Sequence, residues 1–350
     1  MSSSRGFNTV YVTRYMGAKY KLLDLIVPVI EKLLKPGETL LDIMAGTHAV
    51  GYAFKSRNLI IGNDIQHYSE VFGRALIANN EILHVRGLYI NDFEELDTSK
   101  FSNSWFVRTY ADTYFSKAQC IEIAAIRDRI SQVANENTRN LYLVVLANAM
   151  SLCQSSSGHF AQYFPKDHPR LMSLRAMSVT SEFKKRCETI EIVAGNYENK
   201  ILRMEALDIF KSEEVSNTAP ANSLVYFDPP YSSAQYSRYY HLLETVFLDD
   251  TPEVNFKGLY RGDRHQSDFC SPRKVESAFE AVIDNTSRKS WNLVVSYSDS
   301  GLLELSKLVD LCKSYYTEVE ILKKEYGHST QGRGIVAQVN EVVISCSSAR

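Results

Sequence analysis

Ser223-Leu224-Val225-Tyr226-Phe227-Asp228-Pro229-Pro230-Tyr231 is the stretch on which the fold turns. Leu224 to Phe227 is an unbroken apolar run, the pattern of a strand covered on both faces. Pro229 and Pro230 end it, because proline lacks the N–H that a central ladder requires. A strand closed by a proline turn is the plain explanation. Frequency argues for more: at average proline usage of about 5%, Asp-Pro-Pro-Tyr is an accident on the order of one in hundreds for a chain this long. Open α/β sheets bind ligands beyond the carboxyl ends of their strands, which is where Asp228–Tyr231 falls if this sheet is parallel.

The flanks make it parallel. Upstream, Leu22, Leu23, Ile26, Ile30, Leu33 and Leu34 form a helical stripe over Lys19–Leu34, ended by Lys35-Pro36-Gly37. A buried strand Thr39–Met44, a short helix Ala49–Lys55, a strand Leu59–Gly62 and a helix near Tyr68–Ile82 follow. Strand–helix alternation indicates parallel strands with crossover helices. The strand signal then lapses over residues 84–197. There Ile121, Ile123, Ile126, Ile130 and Val133 predict one helix, Leu141, Val144, Val145, Asn148 and Leu152 a second, and Leu171–Ile190 a third. Alternation resumes with strands Ile201–Leu207, Ser223–Phe227 and Asn292–Tyr297 and helices Tyr239–Leu248, Val275–Asn285 and Leu302–Ser314. Thr317–Tyr326 and Ile335–Cys346, joined by Gly327–Gly334, read as a closing hairpin, which brings the strands to seven.

Bulk properties set outer limits. Three hundred and fifty residues suit two domains, or one large domain with an insertion. Lys and Arg total 39 against 41 Asp and Glu, a formal net charge of −2. Nucleic-acid contact therefore needs a local basic face, not a polycationic molecule. With 45% hydrophobic and 23% charged residues the chain can bury an ordinary core. No run approaches the roughly 18 apolar residues of a membrane helix. Met1–Gly6 has no apolar signal core, so a cytoplasmic protein is expected, with no membrane partner. Cys120, Cys153, Cys187, Cys270, Cys312 and Cys346 are scattered without a C-x-x-C pair. They read as buried apolar residues of a reducing compartment, neither a disulfide frame nor a metal site.

Chemistry gives the tetrapeptide a use. An exocyclic amine on a heteroaromatic ring is a poor nucleophile, because its lone pair is delocalised. Two acceptors fixed against its two N–H bonds favour the tetrahedral nitrogen that attack requires. Asp228 and the Pro229 carbonyl can supply them, Pro230 stiffens the loop, and Tyr231 offers a stacking face worth roughly 1–3 kcal/mol per base.

With these residues the chain resembles the α-class, Dam-like N6-adenine DNA methyltransferases, over most of its length outside the insertion. The resemblance implies a Rossmann-like S-adenosylmethionine-dependent methyltransferase fold with a mixed seven-stranded sheet. It also implies a catalytic domain from residues 1–83 and 198–350, and an inserted helical DNA-recognition domain over 84–197. Arg14-Tyr15-Met16-Gly17-Ala18-Lys19 is similar to the family's first motif, placing Tyr15 and Lys19 at the cofactor's methionine end and the incoming base. Taken alone it is a helix start with a solvated lysine. Leu41-Asp42-Ile43-Met44-Ala45-Gly46-Thr47-His48-Ala49-Val50-Gly51 resembles the loop beneath the cofactor, with Asp42, Ala45 and Gly46 against it and Thr47 as a helix cap. His48 stands where the family usually has a second glycine. Its side chain either narrows the pocket or turns into the first helical turn.

Asp64, ending Ile60-Ile61-Gly62-Asn63-Asp64, is set to accept the ribose hydroxyls, or else caps the following helix. Asp208 resembles the acid that meets the cofactor's adenine amine, with Asp92 as its rival; Asp208 is preferred for lying one strand before Asp228. Gln235-Tyr236-Ser237-Arg238-Tyr239-Tyr240-His241 could cover a rotated-out base, or be a helix start with core tyrosines. His241 itself is more often structural, and Ser296-Tyr297-Ser298 could line the same pocket. Lys166, Arg170, Arg175, Lys184, Lys185 and Arg186 outnumber Asp167, Glu182 and Glu188, and a second basic stretch holds Lys257, Arg261, Arg264, Arg273 and Lys274. Lys166, Arg170, Arg175, Arg238 and Arg261 are the candidate contacts to double-stranded DNA. The expected activity is methyl transfer from S-adenosylmethionine to adenine N6, protecting host DNA from a cognate restriction endonuclease at the same site. RNA adenine, cytosine N4, a glutamine amide, or a non-catalytic DNA-binding role are the alternatives.

Overall fold

Leu224–Phe227 is a strand, and its neighbours decide where everything else sits. The computed structural model describes residues 19–80, 93, 95–329 and 336–348. In chain order its strands are β1 (Thr39–Asp42), β2 (Leu59–Asn63), β3 (Lys200–Leu202), β4 (Leu224–Phe227), β5 (Val254–Asn255), β6 (Tyr260–Arg261), β7 (Asn292–Ser298), β8 (Glu318–Ser329) and β9 (Val336–Ser347). β5 and β6 form a separate two-stranded ribbon; the other seven make one sheet in the order β3-β2-β1-β4-β7-β9-β8. β3, β2, β1, β4 and β7 run parallel, while β9 is antiparallel to β7 and to β8. The mixed seven-stranded α/β sheet read from the sequence is therefore present.

The chain leaves β1 towards β2 on one side and returns as β4 on the other, so strand order reverses between β1 and β4. Such a reversal opens a crevice at the strand ends. Register pairs Asp42 with Tyr226, which brings the ends of β1 and β4 level.

Both strands are buried throughout, and their side chains alternate between two cores. Leu40, Leu224 and Tyr226 face one; Leu41, Val225 and Phe227 face the other. Each leucine so covered is worth roughly 1.5–3 kcal/mol. The second core is closed by the helices Val275–Arg288 and Leu305–Tyr315. The first is closed by Leu23–Leu33, His67–Gly73 and His241–Leu248, together with helices between β2 and β3. Those are Trp105–Tyr110, Lys117–Ser131, Glu136–Cys153, Leu171–Arg175 and Val179–Thr189. Among the described residues no strand of the sheet falls in that interval. Leu141, Val144 and Val145 lie in the same continuous core as Leu40 and Ile60.

Several boundaries differ from the sequence reading. Leu171–Ile190 is two helices, because the Gln119 amide takes the carbonyls of Leu174 and Met177 at 2.7 and 2.9 Å and Ser178 caps the second helix. β3 stops at Leu202 and not at Leu207. The hairpin strands are each 12 residues long, β8 taking in 327–329 of the expected connection; the rest of it, 330–334, lies outside the described residues. All six cysteines are buried. No described helix is long and apolar enough to cross a membrane.

Candidate active site

Where β1 and β4 end, the two loops face each other across a cleft. Asp42, Ala45, Gly46, Asp64, Asp228, Pro229, Pro230 and Lys19 all contribute to its wall. Residues from opposite ends of the chain thus converge at the strand reversal.

The loop after β1 is shaped by backbone contacts. The Ala45 N–H donates to the Asn63 carbonyl at 2.9 Å, and the Gly46 N–H to Asp64 Oδ2 at 3.0 Å. Gly46 has φ +53°, a left-handed conformation that glycine adopts at little cost. Asn63 ties three segments, donating to the carbonyls of Ile43 and Met204 and accepting from the Met204 N–H. His48, not Thr47, caps the helix Ala49–Phe54, from a left-handed φ of +58°. Thr47 instead faces the cleft. The His48 ring turns away from the cleft and is fully packed. Its space is made by Gly62 and Gly73, where an added Cβ would lie 2.8 and 2.7 Å from the imidazole. A carbonyl can only accept, so the contact of Nε2 with the Ser69 oxygen at 2.9 Å puts the proton on Nε2. Burial lowers the pKa of this ring to about 4 and keeps it neutral.

Acids gather here. Asp42 is 1% exposed, and its Oδ1 is buried without a hydrogen-bond partner. Burial, reinforced by the charge of Asp228, holds its carboxyl well above the usual range. Asp64 accepts the N–H groups of Gly46 and Gln66, each at 3.0 Å, and burial raises it too. Asp228 pairs with Lys19 at 2.9 Å and accepts the Tyr231 hydroxyl at 3.1 Å, both on Oδ1. Burial raises its pKa, and Lys19 pulls it partly back. Glu341, from β9, lies 3.3 Å from the Tyr231 hydroxyl and is 4% exposed.

Not every expected contact is found. Tyr15 and Asp92 lie outside the described residues. Asp208 does not line the cleft: it begins the turn Asp208–Lys211 and pairs with Lys211 at 2.9 Å, its side chain 53% exposed. Because β3 ends early, the next loop reaches the cleft with Met204, Glu205 and Ala206 instead. The Tyr231 ring is absent from the cleft wall and packs edge-on against Tyr297 at 5.5 Å, with Lys19 4.8 Å from its centre. Tyr297 lies behind it, and Ser296 bonds the Tyr226 hydroxyl at 2.7 Å. Gln235, Tyr236 and Ser237 do line the cleft, as do His265, Ser267 and Phe269. His241 is wholly buried against the Phe160 carbonyl, with its pKa lowered to about 3 by burial.

The basic candidates separate clearly. Lys166 and Arg170 are exposed and form no ion pair among the described residues. Arg175 is held by Asp112, through its carbonyl at 2.7 Å and its carboxylate at 3.6 Å. Arg261 corrects the expectation of a phosphate contact. It is 3% exposed and bonded to both Asp250 and Asp263, so its charge is spent inside the protein.

Glu341 was missed because nothing local marks it except one acid in an apolar β-run. Glu205 and His265, 3.2 Å apart at the cleft, carry no motif at all.

A family model described as "D12 class N6 adenine-specific DNA methyltransferase" matches residues 15–309. The chain is 29% identical over 322 residues to the type II methyltransferase M.FokI of Planomicrobium okeanokoites, covering 86% of this chain and 47% of that protein. It is 25% identical to the modification methylase LlaI of Lactococcus lactis subsp. lactis, covering 95% and 54%. With the type II methyltransferase M.NlaIII of Neisseria lactamica the identity is 24%, covering 89% and 91%. The chain thus spans about half the length of M.FokI and LlaI and most of M.NlaIII.

Proposed function

Because this chain belongs to the D12 class N6 adenine-specific DNA methyltransferase family, we propose that it transfers a methyl group from S-adenosylmethionine to N6 of adenine in double-stranded DNA. The observation that carries this reading is the Asp228 carboxylate at the end of β4, beside a cleft walled by Asp42, Asp64 and the Ala45–Gly46 turn.

The residues present fit the cofactor. Among the described residues Asp42 Oδ1 is a buried acceptor without a donor, and Asp64, held by two backbone N–H groups, takes the ribose hydroxyls in this reading. When bound, S-adenosylmethionine supplies an electrophilic methyl on a sulfonium. Gly46 lets the cofactor approach the backbone, and the acid-rich wall favours its positive centre. Lys19 and Tyr231 fix the Asp228 carboxylate through Oδ1. Asp228 and the Pro229 carbonyl then accept the two N–H bonds of the adenine amine and localise its lone pair. This preorganisation needs no strong base. Tyr231 acts through its hydroxyl on Asp228, and Gln235–Ser237 cover the base.

The wider setting belongs to the same reading. Residues 84–197 supply target recognition, with Lys166 and Arg170 towards the DNA backbone. The chain acts in the cytoplasm as the modification arm of a restriction–modification system, opposite an endonuclease that cuts the same site. M.FokI and LlaI, named as a type II methyltransferase and a modification methylase, support that assignment.

Transfer of tritium from labelled cofactor to duplex DNA, RNA and peptide pools tests the acceptor. Label in duplex DNA recovered as N6-methyladenine is expected. Label confined to RNA or peptide, or recovered as N4-methylcytosine, contradicts the reading.

A further inference from the structure

Two arginines beside the cleft lack an acid. Arg238 follows the cleft residue Ser237, and Arg264 precedes the cleft residue His265. Ser237 Oγ donates to the His265 carbonyl at 2.7 Å, which ties the two segments together in the cleft wall. Both guanidinium groups rest on one ring: that of Arg238 is 5.6 Å and that of Arg264 5.2 Å from the centre of Tyr260. Tyr260 is fixed in turn by its hydroxyl, which donates to the Ala161 carbonyl.

Arg264 Nε is held by the Arg261 carbonyl at 2.9 Å, while Arg238 Nε is buried with no hydrogen-bond partner among the described residues. Among the described residues neither arginine forms an ion pair, although Arg261, a close neighbour in sequence, has two. Burial and then the Arg238 charge hold Arg264 below its ordinary range, and the same two causes lower His159. Like charges brought together in a half-buried place are unfavourable unless an anion joins them. Planar guanidinium forks match phosphate oxygens, and aromatic stacking keeps such forks preset.

The geometry points to an anion seat: Arg238 and Arg264, stacked on Tyr260, grip one phosphodiester of the DNA backbone at the cleft mouth, beside the nucleotide that enters the cleft. This deepens the DNA reading above and rests on it. Arg261, the more obvious basic residue of that stretch, has the different task of building the platform from which Arg264 projects.

The test is equilibrium binding of random-sequence duplex DNA by the full chain across a range of salt concentrations. Each neutralised phosphate contributes about −0.9 to the slope of log K against log salt. Arg238→Gln/Arg264→Gln is expected to flatten the slope by about 0.9, the share of one phosphate. Arg238→Lys/Arg264→Lys keeps the wild-type slope, and cofactor affinity by calorimetry is unchanged in both. A double-glutamine slope equal to that of the wild type, with DNA still bound, overturns the seat while leaving the methyltransferase reading intact. A wild-type chain that binds cofactor but no duplex overturns the seat and the DNA reading together. If the double variant does not fold, the single glutamine variants are read in the same way.

Discussion

Asp228 takes two donors on one oxygen, and its usefulness depends on being ionised. Burial raises its pKa, so the protonated, useless form persists above the ordinary carboxylate range of about 3.9. Methyl transfer should therefore fall with decreasing pH through a midpoint above that range. A profile of single-turnover rate against pH checks this, and an acid limb at or below the ordinary range contradicts it. Arg261 gives the opposite kind of prediction. Arg261→Ala leaves Asp250 and Asp263 without their partner, and should cost about 2–3 kcal/mol in urea denaturation while leaving the salt slope of DNA binding unchanged. A loss below about 0.5 kcal/mol would place that arginine among ordinary surface residues. At this scale the sequence was informative where chemistry is compressed into neighbours. Asp228 to Tyr231 stands out because four unusual residues are adjacent. Glu341 does not, because the partner that explains it, Tyr231, is 110 residues away. Asp208 misled because a strand end cannot be read from an apolar run to within a few residues, and β3 ended before it.

The strand–turn–helix after β1 was legible as an element but not as a packing arrangement. His48 was expected to narrow the cleft or turn into the helix; the structure sends its ring between Gly62 and Gly73 instead. Sequence gives the helix start, whereas only the fold brings a glycine of β2 and one of the helix His67–Gly73 to the same imidazole. Gly73→Ala should force the ring or the helix to shift and destabilise the protein by about 1–3 kcal/mol, despite alanine's better helix propensity. A stabilised variant would show that the cradle is slack. The same ring makes stability depend on pH. Its folded pKa of about 4 lies below the ordinary 6.5, so the unfolded chain binds the extra proton first. Stability contributed by keeping His48 neutral is complete above 6.5 and is lost as pH falls towards 4. The wild type's advantage over His48→Asn should therefore narrow through that window, by up to about 1.4 kcal/mol per pH unit. An advantage that widens contradicts the buried, neutral ring.

Across the whole molecule, the parallel strands and the position of the cleft at their ends followed from alternation and the proline turn; the strand order came only with the structure. So did what covers the sheet. Apolar helices between β2 and β3 declare that they are buried, but not against what. In the structure Leu141, Val144 and Val145 share a core with Leu40, Ile60 and Tyr226. The proposed recognition segment and the sheet should consequently unfold together, in one calorimetric transition; two separated transitions would mean that the shared core carries little of the stability. The cleft at the strand reversal and the acids in its wall then form one frame about Asp228.

The most direct test of that frame is single-turnover methyl transfer by Asp228→Ala, measured with cofactor and duplex DNA both saturating and with both affinities determined separately. Loss of one acceptor fixed against the reacting amine should slow transfer on the order of 10²–10³-fold or more, while DNA affinity stays within a few-fold because phosphate contacts dominate it. Transfer within about tenfold of the wild-type rate, with both ligands bound, would contradict the claim that this carboxylate prepares the nitrogen for attack.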